Sequence, residues 1–90
     1  MNGAQLVVTR SIKTTTDENP IYLREILTAL SRYKKRDWGE LSDNDKLAND
    51  EALASGDERI FAAYDTTQGK IYIITEADRS VTTVLFAHEY

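Results

Sequence analysis

Residues 70–90 read "KIYIITEADRSVTTVLFAHEY", and this stretch decides the fold. Two dense runs of β-type residues, Ile71–Thr75 and Val81–Phe86, stand on either side of a polar knot, Glu76-Ala77-Asp78-Arg79-Ser80. Branched and aromatic side chains suit a pleated, half-buried surface. A link as short as the knot joins antiparallel neighbours. A third run, Glu58–Tyr64, precedes them and is joined to Lys70–Thr75 by Asp65-Thr66-Thr67-Gln68-Gly69, where Gly69 supplies the positive φ of a hairpin loop. The three runs predict a C-terminal antiparallel meander. Ile71, Ile73 and Ile74 give a nearly continuous apolar run, which suits a central strand shielded on both faces. If helices cover only one face, the other is a candidate homodimer surface.

The partner for this sheet lies upstream. Asn19 and Pro20 form a cap and first-turn pair. Leu23, Ile26, Leu27, Leu30 and Tyr33 then recur at helical spacing, and Arg32, Lys34, Lys35 and Arg36 close the last turn, where cations meet the negative end of the helix dipole. Asp37-Trp38-Gly39 ends this helix. Ser42-Asp43-Asn44-Asp45 resembles a capping box and starts a second, from about Asp43 to Ala54, stopped by Ser55-Gly56. Its apolar content is thin, so it is expected at the periphery with its acids in solvent. Gln5–Ile12 reads as a possible further strand at an edge, and "KTTTDEN" (13–19) as a polar loop. The whole predicts one α+β domain: an antiparallel sheet of three to four strands, packed against one amphipathic helix, with a second, acidic helix outside.

Ninety residues suit one domain near the lower limit for folding without staples. The chain has no cysteine, so disulfides and thiolate metal sites are excluded. No apolar run approaches the roughly 20 residues that span a bilayer, and Met1–Gln5 lacks the start of a secretory leader. A cytoplasmic protein with no membrane association is the expectation. The net charge of −4 hides a polarised layout. Residues 1–36 carry +4, residues 37–58 carry −7, and the rest is near balance. That total disfavours a general nucleic-acid binder, whose affinity comes from phosphate neutralisation.

Three constellations could carry chemistry. The acidic stretch 43–58 fails as an EF-hand, since Leu47, Ala48 and Ala54 stand where the loop needs a ligand, glycine and glutamate. It reads as a solvated helix face or a protein-docking surface, with Asp43, Asp45, Asp50 and Glu51 as its contacts. "RYKKRDW" (32–38) places Arg32, Lys34, Lys35 and Arg36 beside Trp38, a pattern able to hold phosphates and stack bases. The same cations could instead face the acidic helix. The closing knot offers Arg79 which, with Arg59, His88, Glu89 and Tyr90, could supply the cation, acid and base of a small toxin-type ribonuclease. Against that, Asp78 and Ser80 are ordinary turn residues. His88 is the only histidine, so no metal site and no cofactor is expected.

The stretches "DWGELSDNDKLANDEAL" (37–53), "GDERIFAAY" (56–64) and "IYIITEADRSVTTVLF" (71–86) resemble a family of small bacterial proteins found on chromosomes, plasmids and integrative elements. Members bear labels such as plasmid-related protein or type I restriction subunit. They end in a proline-containing tail, where this chain has Leu85-Phe86-Ala87-His88-Glu89-Tyr90. The resemblance implies a mobile-element accessory protein, able to modulate host defence by binding a protein. The leading expectation is therefore a non-catalytic protein-binding module, using the acidic segment and the Asp78-Arg79 turn. The ribonuclease and a nucleic-acid-binding regulator are the alternatives.

Overall fold

The computed structural model describes residues 4–90, so Met1–Gly3 of the segment read for a leader lie outside the described residues. The elements run β1 (Gln5–Val8), α1 (Arg10–Glu18), α2 (Pro20–Lys34), α3 (Asp43–Ser55), β2 (Ile60–Thr66), β3 (Gly69–Thr75) and β4 (Val81–Phe86), followed by a 3₁₀ turn at Ala87–Glu89. The α+β class and the C-terminal meander are as expected. Gly69 takes φ 110° in the β2–β3 hairpin.

Two expectations are corrected. The sheet is mixed: its order is β1-β4-β3-β2, and β1 runs parallel to β4. Short links dictate antiparallel pairing only among β2, β3 and β4, whereas everything from α1 to β3 separates β1 from β4 in the chain. The stretch Gln5–Ile12 is a strand only to Val8, and "KTTTDEN" is largely helical. Thr9 is the switch. Its backbone N–H completes the ladder to Val84 O at 3.1 Å, while its hydroxyl accepts the Ile12 N–H at 3.3 Å as an N-cap. Along α1, Lys13 pairs with Asp17 at 2.9 Å and the Thr15 hydroxyl donates to Ser11 O at 2.8 Å. These local ties are weak. Full burial of Ile12 supplies the tertiary gain that outweighs the poor helix propensity of three threonines.

All three helices pack on one sheet face. Ile12, Tyr22, Ile26, Ala29, Tyr33 and Ala52 meet Ile60, Ala62, Ile71, Ile73, Val84 and Phe86 in a single core cluster. β3 is central, as its apolar run predicts. On its second face, however, Ile74 is buried by neighbouring side chains rather than by a second helical layer. A buried hydroxyl chain fixes α2 over the sheet: Tyr33 Oη meets Thr75 Oγ1 at 2.7 Å, which meets Thr82 Oγ1 at 2.8 Å. Burial pushes the Tyr33 phenol up to about 12.

The exposed edge of β2 is closed by other parts of the chain. Asp37 is bonded to Arg32 at 2.7 Å, and Tyr64 Oη donates to Asp37 O at 2.7 Å. Trp38 thereby turns into the core with 2 % exposure. Its carbonyl accepts Ala63 N–H at 3.4 Å, and Glu40 N–H donates to Ala63 O at 2.7 Å. Between them Gly39 takes φ 76°, and a Cβ there would lie 2.0 Å from Ala63 O. One residue-pair further along the edge, the Asn49 side chain receives Phe61 N–H at 3.1 Å and donates to Phe61 O at 2.5 Å. Four backbone groups of an edge strand are thus satisfied without another strand.

Two measurements test this account. Gly39→Ala combines a backbone clash with left-handed strain and should cost ~3 kcal/mol or more in urea unfolding, whereas Gly56→Ala adds strain alone, ~1–2 kcal/mol. Gly56 has φ 77° but nothing within 4 Å of its would-be Cβ. Equal losses would remove Gly39 from its role at the edge. The second concerns pH. The folded Tyr33 favours its neutral form, so its stabilisation is complete below pH ~10 and declines between ~10 and ~12, as the unfolded state ionises first. Tyr33→Phe should lessen that alkaline decline by about 1.4 kcal/mol per pH unit, the slope of one proton. An unchanged slope would refute it.

Candidate functional site

α3 is attached by polar ties more than by apolar burial. Ser42 caps it, accepting Asp45 N–H at 3.2 Å, and Gly56 ends it in a left-handed conformation with its N–H on Ala52 O at 2.9 Å. Its inner side presents Asn49 and Ala52, both buried, with Leu53 packed alongside. Trp38 Nε1 donates to Asp50 Oδ1 at 3.0 Å. Arg79 reaches the last turn from the β3–β4 link, donating through Nη2 to Ala52 O at 2.9 Å.

The helix period then dictates what faces out. Positions opposite Asn49 and Ala52 are Asp43, Leu47 and Glu51, spaced four apart. Leu47 is 57 % exposed, the one large apolar side chain of this helix that is open to solvent, with an acid one turn away on either side. Asp45, in the first turn, is exposed and lies one turn before Asn49 on the same side of the helix. Asp50 is also solvent-accessible, but its carboxylate already holds the Trp38 indole. Asp43, Leu47 and Glu51 thus form an outer face, with Asp50 exposed beside it and tied to the Trp38 indole. Leu47 is the element that sequence reading passed over. Its position four residues from both Asp43 and Glu51 was the available signal.

The closing knot resolves as a turn. Asp78 Oδ1 accepts both the Ser80 N–H at 3.0 Å and the Ser80 hydroxyl at 2.6 Å, and these bonds hold the carboxyl below its usual range. Arg79 takes φ 63°, which swings its side chain beneath the turn. There Nη1 donates to the carbonyls of Glu58 at 2.6 Å, Glu76 at 3.2 Å and Ala77 at 3.1 Å. Four carbonyl oxygens on one guanidinium bind the turn, the start of β2 and the end of α3 together. A planar fork of donors suits such a set.

The other candidate groups are dispersed. Arg59 lies with its guanidinium 5.7 Å from the Tyr90 ring centroid and donates to Tyr90 Oη. Tyr90 is edge-on to Phe61 and Tyr72, on the sheet face without helices. His88 stacks on Phe86, whose partner in the sheet is Ile71. Arg59 precedes Ile60 at one end of β2, while Ile71 is paired with Tyr64 at the other. Four strand residues, ~13 Å, separate those levels. Arg59 and His88 are therefore not brought together, and Arg79 is committed to carbonyls. Glu89 accepts from Phe86 N–H at 2.8 Å and from the Thr9 hydroxyl at 2.9 Å, closing the 3₁₀ turn.

The basic block is also divided. Lys34, Lys35 and Arg36 are exposed, Arg32 is paired with Asp37, and Trp38 is buried, so no indole lies beside these cations for a base to stack on. Arg36 shares a cleft with Asp50, Leu53 and Ala54, which places part of the basic block against the acidic helix. Among the described residues no group of three or more histidines, aspartates or glutamates is placed to hold a metal ion, and no helix is long and apolar enough to cross a membrane.

Arg79→Ala should lower stability by about 1.5–3 kcal/mol, the range for hydrogen bonds to a charged donor, and should speed amide exchange in the last turn of α3. Arg79→Lys should recover only part of it, since an ammonium cannot span Glu58 O and Ala52 O together. Wild-type melting of Arg79→Ala would show that the clamp contributes nothing.

No family model matches the chain, and neither the curated proteins nor the solved structures searched contain a match.

Proposed function

We propose that this chain is a non-catalytic accessory protein that acts by docking on another protein through the outer face of α3. The observation that carries the reading is Leu47, 57 % exposed at the centre of an acidic helix face. An apolar centre inside a polar rim is the general anatomy of a protein interface. The rim selects a basic partner surface, and its attraction acts mainly on encounter rate and specificity. The resemblance of residues 37–53, 56–64 and 71–86 to small proteins of plasmids and integrative elements supports a setting on mobile elements, where the bound partner would belong to host defence.

The face is suited to this use because its residues bear little of the fold. Leu47, Asp43 and Glu51 make none of the contacts that tie α3 to the sheet, which run through Asn49, Asp50 and Ala52. Substituting Leu47 or Glu51 leaves those ties in place, while Asp43, a first-turn acid, adds only a helix-dipole contribution of about 0.3–1 kcal/mol.

The test uses a photo-crosslinking residue at position 47 in the protein expressed in a bacterial host, with position 14 on α1 as the control. One protein should crosslink from position 47 alone. With that partner purified, Leu47→Asp should weaken binding by about 30-fold or more, equivalent to about 2 kcal/mol. Asp43→Lys with Glu51→Lys should slow association and reverse its salt dependence. If instead the purified protein cleaves RNA, and Arg59→Ala abolishes cleavage, the docking reading is wrong.

A further inference from the structure

The two edges of the sheet are treated differently. β2 is closed by Trp38–Glu40 and by Asn49, as described above. β1 is not closed among the described residues. Gln5 N–H bonds Ser80 O at 2.9 Å and Thr9 N–H bonds Val84 O at 3.1 Å, so in this ladder the odd-numbered residues face β4. By the two-residue period, the N–H and C=O groups of Leu6 and Val8 point away from the sheet. No described residue bonds to them. Their side chains are also uncovered, at 53 % and 40 % exposure. The register pairs Leu6 with Thr82 and Val8 with Val84, both buried on the helix side, so these two apolar side chains extend the core layer out to an open rim.

We infer that β1 is a homodimer edge, on which β1 of a second copy pairs antiparallel to make a continuous eight-stranded sheet. The unpaired row is backbone amide, which an extended strand satisfies and a helix or small ligand does not. The row is also self-complementary. A two-fold axis through Val7 sets Leu6 opposite Val8 of the second copy, and Val8 opposite Leu6. Both are hydrogen-bonded positions, so every outward N–H and C=O of Leu6 and Val8 on both copies finds a partner. Gln5 then faces Thr9 and Ala4 faces Arg10, so no like charges meet. Gln5–Val8 contains no proline, lysine or other charge, the devices that normally keep an edge single.

The two-fold axis is normal to the sheet, so the helical layers of both copies lie on one side of it. Four residues are a short edge against the roughly 20–30 residues a side of a standard interface, so the association is weak and concentration-dependent.

The absence of cysteine makes the test direct. At the axis Val7 faces itself as a non-hydrogen-bonded pair, with Cα atoms ~4.5 Å apart, inside the range a disulfide bridges. Under mild oxidation Val7→Cys should form a disulfide dimer at least tenfold faster than Leu47→Cys or Thr83→Cys. The unmodified chain, followed by sedimentation over rising concentration, should move from 10.2 kDa toward twice that mass. Leu6→Lys with Val8→Lys, both at exposed positions, should stay monomeric with an unchanged melting temperature. A chain monomeric at every concentration, a dimer that survives the double lysine variant, or faster coupling through Thr83→Cys would each overturn the proposal. The last would place contact on the sheet face instead.

Discussion

The structure depends on how residues 37–40 lie along β2. A four-stranded sheet with helices on one face has two raw edges, and β2 carries the aromatic and alanine positions that pack least well against open water. Closing that edge requires the chain to leave α2 abruptly, pass beneath Tyr64 and run parallel to Ala63. Arg36 in the left-handed region at φ 64°, the Arg32–Asp37 ion pair and the Tyr64 hydroxyl on Asp37 O together make the departure. Glycine at position 39 permits the contact itself. Everything after it is positioned by this passage. Trp38 enters the core beside Tyr33, with ring centroids 5.4 Å apart, and its indole N–H fixes Asp50 and so the rotation of α3. That rotation decides which side chains of α3 are inner ties and which are outer surface.

The parts of the fold that were legible in sequence are those governed by local rules. Asn19-Pro20, Ser42 and Ser55-Gly56 place helix ends because caps act over a few residues, and Gly69 places a hairpin for the same reason. The second face of β3, α1 and the pairing of β1 were not legible. In α1 the local signal is poor, with one buried apolar residue and three threonines, and its helicity comes from Ile12 meeting the core. The parallel pairing of β1 leaves no trace in its four residues, since a strand's direction is set by where the chain enters the sheet.

The candidate site shows the same division. The acidic face could be read from charge alone, and its outward orientation followed once α3 was known to be a helix. Trp38 and Arg79 left two readings open in the sequence for a common reason. Each looks functional because its side chain can do much: stack on a base, or hold a phosphate. What consumes them is Asp50 in one case and four main-chain carbonyls in the other. Carbonyls occur at every residue, so no composition or spacing reveals that four will converge. Asp37 illustrates the point with opposite sign. It sits in the acidic segment, yet its bonds to Arg32 and to Gly39 N–H hold its carboxyl below the usual range and make it part of the scaffold.

These assignments bear on how the molecule would work. α3 buries little apolar surface of its own, Ala52 fully and Leu53 in part, and is retained by the Asn49, Asp50 and Arg79 ties. Hydrogen bonds contribute about 1 kcal/mol each in net terms, more when one partner is charged. An element held this way opens more readily than the α2–sheet core, where Ile, Tyr and Phe side chains interlock. The acidic face therefore rides on a helix whose orientation is set largely by polar contacts. A partner that engaged Leu47 would leave the buried contacts of Asn49 and Ala52 untouched, because these lie across the helix from Leu47. At the other edge of the sheet, the outward backbone groups of Leu6 and Val8 bond to no described residue and would be free for association. Docking and self-association, as proposed, would use separate surfaces, one of side chains on a helix and one of main chain on a strand, and neither would compete with the closure at Gly39 that maintains the domain.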